Sequence, residues 1–329
     1  MIVINILLLI GGLVMISLGA NFLTTGAVAI AQRFRISPLV IGLTIVAMGT
    51  SAPELAVSLT SAINGNSDIA LGNVVGSNIA NILAILGVTA LICPLTVQKS
   101  SMNIEIPFTI LTSALLCVFA NDVLFFGTEK NIITTIEGGI LLVGFILFTL
   151  YNIRIAKKNE PFSPNRNSVE QKEKTRIMAV WKATLFFIGG LFLLVYGGRF
   201  FVDSASAIAL KMGISEAVVG LTIVAVGTSL PEMATSIAAA LRKEPDIAIG
   251  NVVGSNIFNI LFILGATATI TPISSQGIIL EDFIVMIFSV MLLYFFASVL
   301  GRKKISRIEG GIFVLCYIVY TIMLIWRVL

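Results

Sequence analysis

Two glutamates stand where ionised side chains are expensive. Glu54 and Glu232 each follow a proline inside a long apolar run, in Gly49-Thr-Ser-Ala-Pro-Glu54 and Gly227-Thr-Ser-Leu-Pro-Glu232. An ionised group at mid-membrane costs about 2.5–3.5 kcal/mol on insertion scales, so such residues are scarce and usually functional. Thr50 and Ser51, four and three residues before Glu54, are expected on its helical face, and Thr228 and Ser229 stand likewise before Glu232. Pro53 and Pro231 each remove a backbone donor and clash with the carbonyl four residues back. The helix should open there and free main-chain carbonyls such as those of Ala47, Thr50, Ala225 and Thr228, which in lipid need protein, water or an ion as partner. A second segment, Gly76-Ser-Asn-Ile-Ala-Asn81 and Gly254-Ser-Asn-Ile-Phe-Asn259, adds Ser77, Asn81, Ser255 and Asn259. The inventory is all oxygen. It suits a hard cation such as calcium, which takes six to eight oxygens at about 2.3–2.6 Å. There is no histidine, and the three cysteines lie in or beside apolar spans without paired spacing, so no soft-metal site and no disulfide framework is expected.

The elements that position these residues come in duplicate. Residues 11–87 laid on 189–265 match at 43 of 77 positions, every equivalent pair being 178 apart. The likeness extends to Ile136-Glu-Gly-Gly-Ile140 and Ile308-Glu-Gly-Gly-Ile312. With 57% hydrophobic and 12% charged residues and a mean hydropathy of +1.03, the chain is an integral membrane protein. Its apolar runs have helical length, without the alternation of barrel strands, so the fold class is all-α. Ten spans are predicted: 2–31, 38–63, 69–93, 104–120, 132–155, 180–210, 217–241, 247–270, 280–299 and 310–327. The first begins without basic residues and shares Gly11 to Leu13 with the second repeat, so it is expected to be a structural helix and not a cleaved signal.

Each repeat is therefore five helices, 1–155 and 180–329, joined by a charged, proline-containing linker at 156–179. Five is odd, so the two repeats must cross the membrane in opposite senses, as inverted repeats with broken helices 2, 3, 7 and 8 around the ion site. Seventeen of the 21 basic residues, including Arg33, Arg35, Lys99, the linker cluster, Arg242 and Arg302 to Lys304, fall on one face. The positive-inside rule makes that face cytoplasmic and puts both termini outside the plasma membrane. An inverted repeat brings Glu54 and Glu232 together at mid-depth, where two like charges must share a cation or a proton. Glu137 and Glu309 are read as helix N-terminal or interface acids, Asp68 and Asp246 as N-caps, and Arg199 as the partner of Asp203.

The two copies of Gly-Thr-Ser-x-Pro-Glu and of Gly-Ser-Asn-Ile-x-Asn resemble the alpha-repeats of the cation/calcium exchanger superfamily, most nearly those of prokaryotic sodium/calcium exchangers. The resemblance implies a ten-helix antiporter in which calcium and sodium alternately occupy one cluster and the first and sixth helices move. Carried over by position, calcium ligands would be Glu54, Glu232 and the carbonyls of Thr50 and Thr228. Sodium ligands would come from Ala47, Ser51, Glu54, Ser77, Ala225, Ser229, Glu232 and Ser255, with Asn81 and Asn259 lining the centre. Related exchangers often carry an aspartate at one of the positions matched by Asn81 and Asn259. Here both are asparagine, leaving two carboxylates, neutral with one Ca²⁺. The expected function is Na⁺/Ca²⁺ antiport by alternating access in the lipid bilayer, with a proton/calcium antiporter as the alternative and a cation channel a more distant one. No Cys/His or Ser/His set and no metal-hydrolase motif suggests an enzyme. No cofactor and no nucleic-acid partner is expected, and a monomer can suffice.

Overall fold

The computed structural model describes residues 2–34, 36–158, 178–212, 225–275, 277–300 and 303–328. Most of the predicted linker, the start of the predicted seventh span (217–224), Arg35 and Arg302 lie outside them. In chain order the helices are α1 (Ile2–Phe34), α2 (Pro38–Thr50), α3 (Ala52–Ile63), α4 (Ser67–Ile92), α5 (Ser101–Phe119), the short α6 (Asp122–Phe126), α7 (Thr135–Lys158), α8 (Val180–Lys211), α9 (Ala225–Thr228), α10 (Leu230–Leu241), α11 (Pro245–Ile270), α12 (Leu280–Ser298) and α13 (Arg307–Val328). Among the described residues, eight are long and apolar enough to cross a bilayer, nine if α2 and α3 count as one bent span, and α10 is a shorter apolar helix. The chain is a multi-pass helical membrane protein.

Where the sequence expects unbroken spans, observed helix ends fall within about three residues of expectation, the uncertainty normal for such boundaries. Four two-residue strands in the loops are additions to the all-helical expectation. β1 (Leu95–Thr96) pairs antiparallel with β4 (Lys304–Ile305), and β2 (Ile132–Ile133) with β3 (Ile273–Ser274). They satisfy backbone groups that short turns between helices would otherwise leave open.

The proline motif acts as expected. Helices α2 and α3 meet at 48°. The break falls at Ser51 (φ −81°, ψ 12°), with Pro53 in the first turn of α3, where its missing N–H costs no helical bond. Ser229 (φ −88°, ψ 5°) makes the equivalent break between α9 and α10. The expected breaks in the third and eighth spans are not found. Helices α4 and α11 run through their Gly-Ser-Asn motifs and widen into π-helical turns at Asn81–Leu86 and Asn259–Leu264. Neither motif holds a proline, so no donor is lost and the ladder expands instead of opening.

Packing divides the molecule in two. Helices α4 and α11 are the most enclosed, the apolar stretch of α11 being 94% buried, and they anchor a large hydrophobic core with α5, α7, α12 and α13. The motif glycines Gly138 and Gly310 are packing contacts there: a Cβ on Gly138 would meet Ala268, and one on Gly310 would lie 2.8 Å from the Gly87 carbonyl. A separate, smaller core joins α1 to α8 through Ile16, Ala20, Leu23, Ala27, Phe187 and Leu194, touching Ile41, Val46 and Ala238. Here glycines bring the two backbones into contact. A Cβ on Gly12 would lie 2.8 Å from Gly197 O, one on Gly19 2.8 Å from Gly190 O, and one on Gly190 2.3 Å from Leu23 N.

Helix-end acids divide as well. Glu137 accepts from Thr134 N at 2.7 Å and from Thr134 Oγ1 at 2.8 Å, and Glu309 accepts from Ser306 N, so both close the first turn of their helices as expected. Asp68 and Asp246 do not cap. Asn66 and Glu244 hold the cap positions, while Asp68 accepts Gly277 N at 2.9 Å and Asp246 accepts Gln98 Nε2 at 2.6 Å. A first-turn acid can satisfy its dipole preference and still reach a distant loop.

Candidate cation site

Glu54 and Glu232 lie in the first turns of α3 and α10, each only 1% exposed. Their hydroxyl partners come from the opposite repeat. Ser51 Oγ donates to Glu232 Oε1 at 2.8 Å, and Ser229 Oγ donates to Glu54 Oε1 at 3.4 Å. This corrects the expectation that each serine shares a helical face with the glutamate three residues on. Ser51 and Ser229 are the break residues themselves, so their side chains leave the helix that follows and cross to the other half. Ser51 Oγ is also 3.0 Å from Ser255 Oγ, which brings α11 into the cluster.

Thr50 is fully buried, and its hydroxyl lies 3.1 Å from Val46 O, 3.3 Å from Ala47 O and 3.1 Å from Asn251 Oδ1. The expected freeing of the Ala47 carbonyl is not seen, since it accepts Ser51 N at 3.0 Å as well as facing the Thr50 hydroxyl. The opening that Pro53 dictates falls after Ser51, leaving that earlier bond intact. The Thr50 carbonyl stands one residue before the break. Ser77 is buried on α4 and Thr228 is half-buried at the end of α9, which Ala225 opens.

Asn81 and Asn259 are each 1% exposed at the starts of the two π-helical turns. Asn81 Nδ2 donates to Asn256 Oδ1 at 2.9 Å, and Asn259 Nδ2 donates to Asn78 Oδ1 at 3.1 Å. Within this cluster, four buried acceptor oxygens have no hydrogen-bond donor among the described residues: Glu54 Oε2, Glu232 Oε2, Asn81 Oδ1 and Asn259 Oδ1. Buried polar atoms are nearly always partnered, so a matched set of four in one cluster, two from each repeat, is a candidate for holding a cation. Among the described residues the ion pairs are Arg199–Asp203 and Arg327–Asp282, and neither involves these glutamates.

Four asparagines escaped the sequence reading. Asn73 Nδ2 donates to Glu54 O at 3.2 Å and Ser58 Oγ at 2.9 Å; Asn251 Nδ2 donates to Glu232 O at 3.3 Å and Ser236 Oγ at 3.0 Å. They tie each glutamate's main chain to the neighbouring helix. Asn78 and Asn256 bind each other's main chains across the centre, Asn78 Nδ2 to Asn256 O at 3.3 Å and Asn256 Nδ2 to Asn78 O at 3.1 Å. Their signal was present, because all four are identical between the repeats, inside the segments already singled out.

Comparison with known proteins matches this architecture. Residues 4–154 and 182–326 match the family model described as sodium/calcium exchanger protein. The chain is 39% identical over 326 residues to the putative antiporter CaxA of Alkalimonas amylolytica, covering 98% of this chain and 99% of that one. It is 31% identical over 357 residues to the sodium/calcium exchanger MaX1 of Methanosarcina acetivorans, covering 99% of this chain and all of the other. Among solved structures, the sodium-calcium exchanger NCX_Mj soaked with 10 mM Na⁺ and zero Ca²⁺ superposes with a TM-score of 0.82 at 31% identity, over 97% of this chain and 98% of that one. A family match over both halves, meeting an oxygen-lined pair of buried glutamates, makes this chain a member of the sodium/calcium exchanger family.

Proposed function

We propose that the protein exchanges Na⁺ for Ca²⁺ across the membrane by alternating access, with Glu54 and Glu232 forming one shared cation site. The observation that carries this reading is the set of four buried, donorless oxygens on Glu54, Glu232, Asn81 and Asn259. Two carboxylates without a basic partner balance one divalent ion, or sodium ions that replace it. The serine and threonine hydroxyls around them are good sodium ligands, which favours sodium over a proton as the counter-ion. More than two Na⁺ per Ca²⁺ would move net charge in each cycle and make the rate respond to voltage.

The proposed topology is ten spans in two inverted five-helix repeats, with both termini outside. Loop contacts support it. In that path 95–100, 242–246 and 303–306 share the cytoplasmic face, and they meet through β1 with β4 and through Asp246 with Gln98. The segments 64–68, 121–134 and 271–279 share the outer face, and they meet through β2 with β3 and through Asp68 with Gly277.

The mobile part in this reading is the α1–α8 pair, with its own core. At its cytoplasmic end Arg242 donates to Thr25 Oγ1 at 2.6 Å and Asn21 Oδ1 at 3.2 Å, clasping α10 to α1. The repeat equivalents of Asn21 and Thr25 are Arg199 and Asp203. These pair with each other at 3.7 Å with side chains 73% and 68% exposed, next to Gly198, which faces Gly227 and Pro231 at the helix break. Charged groups at that depth face water-filled cavities and not lipid. We therefore read this conformation as closed to the cytoplasm and open outward.

The test is calcium uptake into proteoliposomes. Vesicles loaded with sodium are diluted into potassium, choline or buffered-pH-gradient media containing radioactive calcium, with Glu54→Gln and Glu232→Gln alongside. Uptake driven by the outward sodium gradient and abolished by each substitution is the expected result. Uptake indifferent to sodium but driven by protons would replace sodium by the proton as counter-ion, and uptake needing no counter-ion would overturn antiport.

A further inference from the structure

The Gly-Ser-Asn-Ile-x-Asn motif contributes an asparagine that the cation site does not use. Asn78 is fully buried and Asn256 is 1% exposed. Neither has a donorless oxygen, because each side chain is committed at both ends. The Asn78 amide donates to Asn256 O and accepts from Asn259 Nδ2, and the Asn256 amide donates to Asn78 O and accepts from Asn81 Nδ2. Asn78 Nδ2 also lies 3.9 Å from Met286 Sδ of α12. The result is a reciprocal Asn78–Asn256 pair across α4 and α11 from which the amides of Asn259 and Asn81 each hang by one bond.

The cluster has a polarity. A planar carboxamide carries its oxygen and its NH₂ on opposite edges. With Nδ2 of Asn81 held by Asn256, Oδ1 must point away from Asn256, and there it is buried without a donor. Asn259 is held by Asn78 in the same way. Flipping either amide would set two carbonyl oxygens against each other and turn an NH₂ toward the cation. We infer that Asn78 and Asn256 are positioning residues for ion binding: each locks the ion-facing asparagine of the opposite repeat with its oxygen toward the site. Outer partners that orient ligands this way are commonly worth about 10–100-fold in metal affinity.

The inference rests on the reading of Asn81 and Asn259 as ion-facing, and it makes a prediction about pairs. Asn78 should couple to Asn259, on the other repeat, and not to Asn81, three residues along its own helix. Asn78→Ala leaves the anchor of Asn256 in place, because that bond goes to the Asn78 main chain. The experiment is a set of double-mutant cycles on the full-length protein, read as the KM for Ca²⁺ in sodium-driven exchange and as calcium-dependent thermal stabilisation in detergent. Asn78→Ala and Asn259→Ala are each expected to raise the calcium KM about tenfold, and the double variant to be no worse than either. Asn78→Ala with Asn81→Ala should multiply. Should Asn78→Ala fail to fold, Asn78→Asp serves. Its protonated carboxyl keeps one donor and one acceptor, so the KM should stay within about threefold of wild type.

Multiplicative losses for Asn78 with Asn259, or unchanged KM in Asn78→Ala, would overturn the inference. A silent Asn259→Ala in a wild-type background that exchanges normally would do the same. Absence of sodium-driven uptake in the wild type is a different result, which sinks the transport reading and this inference with it.

Discussion

Adjacent glycines in α8 offer a sharp test of how the α1–α8 seam is built. An added Cβ on Gly189 meets nothing within 4 Å, whereas one on Gly190 lies 2.3 Å from Leu23 N, 2.7 Å from Gly19 O and 2.8 Å from Leu23 Cα. All three obstacles are main-chain atoms, which cannot rotate aside. Bringing the 2.3 Å contact to an ordinary separation requires the helix axes to part by roughly 1 Å, which also forfeits dispersion contacts along the seam. Overpacking of this kind costs about 1–3 kcal/mol. Helix propensity favours alanine over glycine by up to about 1 kcal/mol at either position, so it cancels in the comparison. At roughly 2 °C per kcal/mol for a chain of this size, Gly190→Ala should melt about 2–6 °C below Gly189→Ala.

The assay is thermal unfolding of both purified variants in the same detergent, followed by sodium-driven calcium uptake after reconstitution. Gly189→Ala should match or slightly exceed wild-type stability and keep its rate, while Gly190→Ala should melt below Gly189→Ala and exchange more slowly, because the proposed moving body is held together by that contact. Gly11→Ala and Gly12→Ala repeat the contrast on α1, with nothing near the first and Gly197 O at 2.8 Å from the second. Equal melting temperatures for Gly189→Ala and Gly190→Ala would refute the backbone-contact seam.

Other consequences can be checked in the same preparations. Removing the Arg242 clasp with Arg242→Ala deletes two solvent-exposed hydrogen bonds, worth about 1–2 kcal/mol together after allowance for exposure. That shifts the balance of facing states roughly 5–30-fold toward the cytoplasm, seen as increased labelling of a cysteine introduced on the cytoplasmic end of α1; unchanged labelling would count against the clasp. Glu309→Ala opens the first turn of α13 and should cost about 1 kcal/mol in stability while leaving the calcium KM untouched; a changed KM would mean that Glu309 does more than cap.

Much of this architecture could be read before any coordinates. Proline inside an apolar run fixes a local break whatever surrounds it, so the kinks at Ser51 and Ser229 followed directly from Pro53 and Pro231. Hydropathy fixed the helices of the large core to within a few residues. What failed was local reasoning about distant partners. Helical spacing paired Ser51 with Glu54, but a break residue is not bound by the spacing of the next helix, and its hydroxyl went to Glu232. Position at a helix start made Asp68 and Asp246 look like caps, while the loops holding Gly277 and Gln98 supplied partners no local rule includes. The breaks expected in α4 and α11 are absent, because glycine without proline lets helices approach and keeps the ladder.

The cross-pairing explains why duplicated sequence and a shared site go together. Ser51 with Glu232, Ser229 with Glu54, Thr50 with Asn251, Asn81 with Asn256 and Asn259 with Asn78 each join one repeat to the other. Neither half can assemble the site alone, and a substitution in one half falls on an oxygen held by the other. The amides and the hydroxyls nevertheless differ in kind. The asparagine cluster lies between α4 and α11, the two most enclosed helices of the large core, and its central pair, Asn78 and Asn256, is anchored on main-chain carbonyls. The serines sit at breaks between short helices, and part of that surface packs against the separate α1–α8 core at Val46, Leu230 and Ala234. A moving α1–α8 body would therefore press first on the broken helices and their hydroxyl–carboxylate bonds, leaving the amide oxygens in place. In the proposed cycle, ion release on either face would then require opening only the Ser51–Glu232 or the Ser229–Glu54 side of a cage whose floor stays fixed.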